Sequence, residues 1–171
     1  MNFTYFTGEE LNLSDNKKGG LYLVGNCNFN PISGETFYWI KVGVASNFKK
    51  RMSQYRTHNP MLWKNSYYFC DNSKERLFLE NRCHEALKKC AIGSLSEDSE
   101  WYEVDKETYL KICKKGFSFF YMALRDDWDK NTSQLLEIIK KDFEDENLKM
   151  LLLEEINKKS HYLATFLLAC L

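Results

Sequence analysis

Apolar residues follow a strand-like pattern in the first half of the chain and a helical spacing in the second half. The runs Leu21–Val24 and Thr36–Ala45 are rich in aromatic and β-branched residues, which predicts two strands. The segment Gly25–Glu35 between them holds Gly, Asn, Pro and Ser and predicts a loop, so the two strands most simply form an antiparallel hairpin. Ser66–Cys70 predicts a third strand, and Glu100–Val104 predicts a short extended segment.

Helices are predicted where a capping residue precedes apolar residues spaced three or four apart. Ser46 or Asn47 caps a first helix that runs to about Thr57, and Ser73 caps a second helix. From Lys106 onward the whole chain is predicted to be helical. The apolar stripe of the second helix has the spacing of one helix face and consists of Leu79, Cys83, Ala86 and Cys90.

The predicted fold class is α+β, a small three-stranded antiparallel sheet flanked by helices, with a helical C-terminal extension. The chain divides into an N-terminal arm at 1–18, an α+β domain at 19–105 and the extension at 106–171. Near its end the extension is predicted to bury three apolar residues, because leaving them in water is costly. These residues are Leu163, Phe166 and Leu167.

Charge is distributed unevenly, although the 171-residue chain has a formal net charge of zero. The segment 41–64 holds six Lys or Arg and no Asp or Glu, whereas the segment 126–159 holds ten acidic residues and six Lys. A basic segment in a neutral chain favours a surface that meets an anion, and an ordinary solvated helix face is the alternative interpretation. The acidic C-terminal segment suits DNA poorly, so its helices are expected to pack on the core or to form a homodimer.

Cysteine usage and hydropathy indicate a compartment. The sequence has no C-x-x-C motif and no zinc-site spacing, so its six cysteines read as buried thiols in a reducing environment. It has no signal-peptide pattern, and the apolar stretch 162–171 is about half the length of a membrane span. A soluble protein without a membrane partner is expected, cytoplasmic or, in a eukaryotic host, nuclear.

Short motifs in chain order carry a resemblance to a known family. Gly20-Leu21-Tyr22 lies in the first predicted strand, and Lys41-Val42-Gly43 lies near the end of the second. The next helix reads SNFKKRMSQYRTHNP, with Arg51 and Tyr55 one turn apart, and the following helix contains LFLENRCHEAL, with Glu80. Together, in this order, the motifs resemble the GIY-YIG nuclease superfamily over about half of the chain.

One branch of that superfamily is the more similar. The second triplet usually begins with Tyr, whereas this sequence has Lys41. A branch found in phage proteins and some eukaryotic meiotic proteins has Lys at this point, a His one turn after the Glu and an E-W-[FY] string. Here these are His84 and the string Glu100-Trp101-Tyr102.

The resemblance implies a GIY-YIG-like fold and an endonuclease that hydrolyses phosphodiester bonds of DNA with one divalent metal, Mg²⁺ or Mn²⁺. Glu80 would hold the metal through its single carboxylate. Such a site suits an ion that keeps most of its water. Arg51 would contact phosphate through its planar fork of donors. Tyr22 would act as a phenolate general base or hold the attacking water, with Lys41 lowering its pKa.

The remaining implied site residues have supporting roles. Tyr55, on the helix face of Arg51, would orient that side chain or contact phosphate. Gly43 belongs to the second triplet, and His84 would be a structural partner of a ligand. Each assignment also has a purely structural alternative, from a strand aromatic to a solvated charge. A non-catalytic nucleic-acid-binding or protein-interaction module on the same fold therefore stays open.

Overall fold

The first part of the structure is built on a five-stranded antiparallel sheet, which confirms the α+β class. The computed structural model describes residues 19–58, 63–70, 72–94, 99–142 and 146–169. The chain forms two compact units, the first ending at Phe119 and the second beginning at Phe120. The predicted arm at 1–18 lies outside the described residues, and the predicted domain boundary at 105 stays a prediction.

The sheet has the strand order β3-β1-β2-β5-β4. Its strands are β1 Gly20–Phe29, β2 Thr36–Ala45, β3 Trp63–Phe69, β4 Gly93–Ser94 and β5 Trp101–Val104. The first three form the antiparallel arrangement that the sequence predicts. The predicted number of three strands is wrong, because the segment expected to be merely extended is β5. It pairs with β2 from Tyr38 to Lys41 and carries β4 on its other edge.

Strand β1 continues five residues beyond its predicted end at Val24. Cys27 pairs with Tyr38 and Phe29 pairs with Thr36 in uninterrupted register with β2. The predicted loop at 25–35 is therefore too long, and the connection spans only residues 30–35. The low β-propensity of Gly and Asn at 25–28 is overridden because β2 supplies a full ladder of backbone partners.

The helices begin at capping residues that satisfy their free N–H groups. In the first unit they are α1 Phe48–His58, α2 Ser73–Cys90 and α3 Lys106–Lys115. Asn47 is the cap of α1, since its Oδ1 accepts the N–H of Lys50 at 2.8 Å. The cap of α2 is Asn72 and not Ser73, because the Asn72 side chain accepts the N–H groups of the second and third helical residues.

The helices of the first unit cover opposite faces of the sheet. Tyr22, Val24 and Ala45 form one buried cluster with Phe48 and Met52 of α1. Because side chains alternate along a strand, residues such as Leu23, Ile40 and Val42 point to the other face. On that face Tyr38 packs on Tyr109 of α3, with ring centroids 4.9 Å apart, and Tyr102 contacts His84 of α2.

A glycine fixes how Tyr22 lies across the hairpin. Tyr22 and Gly43 are direct partners in the antiparallel pair of β1 and β2. A Cβ at residue 43 would lie 2.4 Å from the Tyr22 hydroxyl oxygen and 2.5 Å from its ring carbon. The ring therefore occupies the space that any other residue at 43 would need, which gives the second triplet a steric function.

The second unit consists of two helices, α4 Tyr121–Asp142 and α5 Glu146–Ala169. Its described residues confirm the predicted helical extension. Leu163 and Phe166 are buried as predicted, and the side chain of Leu167 lies outside the described residues. The predicted homodimer through these helices stays a prediction. Among the described residues, no helix is both long and apolar enough to span a membrane.

The contact between Gly43 and Tyr22 yields a stability prediction. Gly43→Ala should lower the free energy of unfolding by about 1–3 kcal/mol, because an added methyl group overpacks a buried ring. Gly93→Ala is the matched control, since its Cβ would meet only the flexible end of Glu103, at 3.2 Å. Urea unfolding measures both variants. Equal, near-zero losses would contradict the steric function of Gly43.

Candidate active site

Two tyrosine hydroxyls meet where β1 passes α1. The hydroxyl oxygens of Tyr22 and Tyr55 are 2.9 Å apart, and their rings make an edge contact with centroids separated by 5.9 Å. Tyr22 is only 2% exposed. Burial and the bond with Tyr55 raise the pKa of Tyr22 well above its ordinary value. The buried hydroxyl is therefore neutral at physiological pH.

A charged pair links the sheet to the start of β5. The Lys41 ammonium donates to the Glu100 carboxylate and forms a salt bridge with it. The Lys41 side chain is 12% exposed, whereas that of Glu100 is 52% exposed. Lys41 Nζ also lies 5.9 Å from the centroid of the Tyr55 ring. One ammonium group therefore contacts both the tyrosine pair and a solvent-facing carboxylate.

Arg51 adds a second cation beside the same groups. It lies on α1 one turn before Tyr55, and it is exposed. Its charge lowers the pKa of Tyr22, although not enough to offset burial. It also lowers the pKa of Glu100, for which the hydrogen bond from Lys41 is the larger cause. Arg51 is therefore close enough to act on both ends of the cluster while its own fork faces solvent.

Glu80 of α2 lines a cleft on the other side of Glu100. Its side chain is nearly buried, at 9% exposure. Burial and the negative charge of Glu100 raise the pKa of Glu80, whereas the backbone N–H of Val44 and the charge of Lys41 lower it. The cleft measures 680 Å³. Its polar lining includes Glu80, Asn81, His84, Lys88, Glu100 and Tyr102.

His84 stands one turn after Glu80 on the same wall of this cleft. Its Nδ1 lies 3.1 Å from the Tyr102 hydroxyl oxygen, within hydrogen-bonding distance. Burial lowers the pKa of His84, and the charges of Lys41 and Lys88 lower it further, while Glu100 acts in the opposite direction. His84 is thus held by Tyr102 as a neutral ring, which fits the supporting role that the sequence predicts.

Three consecutive residues at the start of β5 serve three parts of this site. Glu100 pairs with Lys41, Trp101 packs against the cluster around Tyr22, and Tyr102 contacts His84. Glu100 and Tyr102 were not among the site residues that the sequence predicts. The E-W-Y string was their only signal in the sequence. Its residues are contiguous, but they approach the site from both faces of β5 because side chains alternate along a strand.

The comparisons with known proteins agree with the motifs. The model of the T5orf172 domain family matches residues 19–116, which run from the start of β1 to just beyond α3. The chain belongs to the T5orf172 domain family. This domain is found in phage proteins and in GIY-YIG-related endonuclease-like proteins. No match was found among curated proteins or among solved structures.

The contacts of the T5orf172 domain connect three of the five residues predicted for catalysis, and they extend to Glu100. Tyr22 contacts Tyr55, Tyr55 lies near Lys41, and Lys41 pairs with Glu100. That all five line one concave face stays a prediction, and Tyr22 itself is buried. The charge of Arg51 lowers the pKa values of Tyr22 and Glu100. The charges that shift the pKa of Glu80 are those of Glu100 and Lys41.

The raised pKa of Tyr22 gives no support to the predicted phenolate role, which stays a prediction. That role needs a lowered pKa, and the pKa of Tyr22 is raised because burial disfavours the charged phenolate. Lys41 was expected to supply the cation that lowers it. Its ammonium is instead directed to the Glu100 carboxylate. Arg51 is the cation that acts on Tyr22.

The cleft of the T5orf172 domain fits a hard cation that keeps its water. Within the described ranges no group of three or more His, Cys, Asp or Glu is arranged to hold a metal ion. Glu80 offers a single, nearly buried carboxylate to an open cleft, and Glu100 adds negative charge to it. Mg²⁺ is commonly bound through one or two carboxylates, waters and substrate phosphate, so the donors present suit it.

The surroundings of His84 yield a titration prediction. Its pKa should lie below the ordinary value of about 6.5, and Glu100→Gln should lower it further because the carboxylate favours imidazolium. Since the folded-state pKa is depressed, the contribution of neutral His84 to stability is present above about pH 6.5 and is lost as pH falls through the folded-state value. NMR titration of the ring checks this, and a value above the ordinary one would contradict it.

Proposed function

We propose that this protein is a metal-dependent endonuclease of the phage and meiotic GIY-YIG branch that hydrolyses phosphodiester bonds in DNA. The observation that carries the proposal is the Lys41–Glu100 pair, which joins the tyrosine pair and Arg51 to the cleft of Glu80. Cations, hydroxyls and a metal-binding carboxylate in one cluster are the groups that phosphodiester hydrolysis requires.

The exposed side of α1 supports nucleic acid as the substrate. Lys49, Lys50 and Arg51 are successive exposed cations at the start of this helix. A shallow groove of 330 Å³ beside them is lined by Lys and by polar Asn, Ser and Gln side chains. Such a surface suits the phosphate backbone without selecting a base sequence. Lys49 and Lys50 line this groove, and Arg51 follows them directly on α1.

Arg51 is assigned to the phosphate that is cleaved. Its guanidinium is charged at any working pH and offers paired donors that match phosphate oxygens. It faces solvent on α1 while acting electrostatically on Tyr22 and Glu100. It can therefore contact a bound phosphate and stabilise the negative charge that develops during hydrolysis.

Glu80 is assigned to the metal ion. A divalent cation there would supply charge neutralisation at phosphate and a water of lowered pKa. Near-burial of Glu80 and the N–H of Val44 fix the direction of its carboxylate. Glu100 and Lys41 set the charge around it, and His84 forms the neighbouring wall.

Tyr22 is assigned to positioning, since its hydroxyl is buried and neutral. It hydrogen-bonds to the hydroxyl of Tyr55, a half-buried residue of α1. The Tyr55 ring lies near Lys41 Nζ and one helical turn after Arg51. The bond therefore holds the Tyr55 ring close to these two cations. Tyr55 can then present its hydroxyl to a phosphate or to the attacking water.

A non-catalytic nucleic-acid-binding module is the second candidate. The raised pKa of Tyr22 favours it, because the domain in this state offers no tyrosinate as a general base at neutral pH. The basic groove of α1 would then hold nucleic acid without turnover. The two candidates differ in one observable, which is cleavage in the presence of a divalent metal.

The nuclease proposal predicts metal-dependent nicking of a supercoiled plasmid. The wild-type protein should nick DNA with Mg²⁺ or Mn²⁺ and not with EDTA. Glu80→Gln should abolish nicking and retain or strengthen DNA binding, because a negative charge near phosphate is removed. Arg51→Ala should lose about 10²–10³-fold in rate, the effect of removing an electrostatic catalytic group, together with some affinity.

Glu85→Gln is the matched control for Glu80→Gln. Glu85 lies on the same helix and is exposed, where it pairs with Arg82. This control should nick at the wild-type rate. Nicking by Glu80→Gln at that rate would sink the single-carboxylate metal site, and binding without nicking by the wild type would favour the second candidate.

A further inference from the structure

Glu100 interacts electrostatically with several residues of the site. Its side chain is half exposed, yet its negative charge raises the pKa values of Tyr22, Glu80 and His84. Two contacts fix it in place. One is the salt bridge with Lys41, and the other is the turn before β5, where Ser99 Oγ accepts the N–H of Trp101 at 3.1 Å.

Lys41 depends on this carboxylate. At 12% exposure its ammonium has lost most of its hydration, which is costly unless a partner compensates it. The Tyr55 ring, 5.9 Å away, supplies only a weak cation–π contact. Lys41 pairs with Trp101 in the sheet register, and Glu100 directly precedes Trp101. The side chains of Lys41 and Glu100 therefore start close together. The carboxylate therefore sets where the ammonium lies.

We propose that Glu100 is a positioning residue for the cleavage reaction, holding the Lys41 ammonium between the tyrosine pair and the Glu80 cleft. The inference rests on the proposed function and adds a residue to it. Glu100 acts through Lys41, since a carboxylate of its own would repel a substrate phosphate. With Glu100 in place, Lys41 presents its charge to the tyrosine side and the metal side of the site at once.

A second metal ligand is the alternative role for Glu100, since Glu100 and Glu80 line the same cleft. The nearest strong partner of Glu100 is the Lys41 ammonium. A metal-ligand role would raise the Mg²⁺ concentration at which a Glu100 variant reaches half its maximal rate, whereas a positioning role would leave that concentration unchanged.

A double-mutant cycle tests the inference. Single-turnover cleavage of plasmid DNA is measured at saturating Mg²⁺ for the wild type, Glu100→Gln, Lys41→Met and the double variant. Glu100→Gln should lose about 10²-fold, the effect of a misplaced catalytic group. The double variant should be no slower than Lys41→Met, because Glu100 has nothing left to position. Glu100→Asp should recover part of the rate, and Glu103→Gln, three residues further along in β5, should match the wild type.

Two further readouts exclude a merely structural effect. DNA affinity in EDTA should be unchanged or tighter in Glu100→Gln, and its half-saturating Mg²⁺ concentration should equal that of the wild type. Additive losses in the double variant, a raised Mg²⁺ requirement or a wild-type rate for Glu100→Gln would overturn this inference alone. A wild-type protein that binds DNA but leaves it intact at every Mg²⁺ concentration would overturn the proposed function, and this inference with it.

Discussion

The missing Cβ at residue 43 is the constraint on which the rest of the site depends. Antiparallel pairing places residue 43 opposite Tyr22, and only a glycine leaves room for the Tyr22 ring to lie across β2. That placement brings the Tyr22 hydroxyl to Tyr55 of α1, while Arg51, one turn earlier on the same helix, stays exposed. A steric requirement in the hairpin thereby constrains the contact between β1 and the helix that carries Arg51.

Charge compensation joins the two sides of the site. Lys41 lies deep enough to need a partner, and Glu100 supplies one from the adjacent strand. The same carboxylate raises the pKa of Glu80, whereas the charge of Lys41 lowers it. The ion pair thus acts electrostatically on Glu80, the residue proposed to hold the metal ion.

The motifs indicate candidate site residues, and the roles of those residues stay predictions. Gly43, Arg51 and Glu80 could be predicted as candidates because each occupies a fixed place in a short pattern. The state of Tyr22 could not, since its pKa depends on burial and on the Tyr55 hydroxyl, 33 positions away in sequence. In the sheet, β5 was expected only as an extended segment because four residues are too few to establish a strand, although Trp101, Tyr102 and Val104 favour one; pairing with β2 makes the segment a strand.

The proposed roles of the site residues depend on a divalent cation bound in the Glu80 cleft. Titration of ¹⁵N-labelled protein with Mn²⁺ checks this, because the paramagnetic ion broadens amide signals near its binding site. We expect selective broadening at Glu80, Asn81, His84 and Glu100, and its loss in Glu80→Gln. Broadening confined to acidic positions of α4 and α5, or broadening of the cleft that persists in Glu80→Gln, would contradict it.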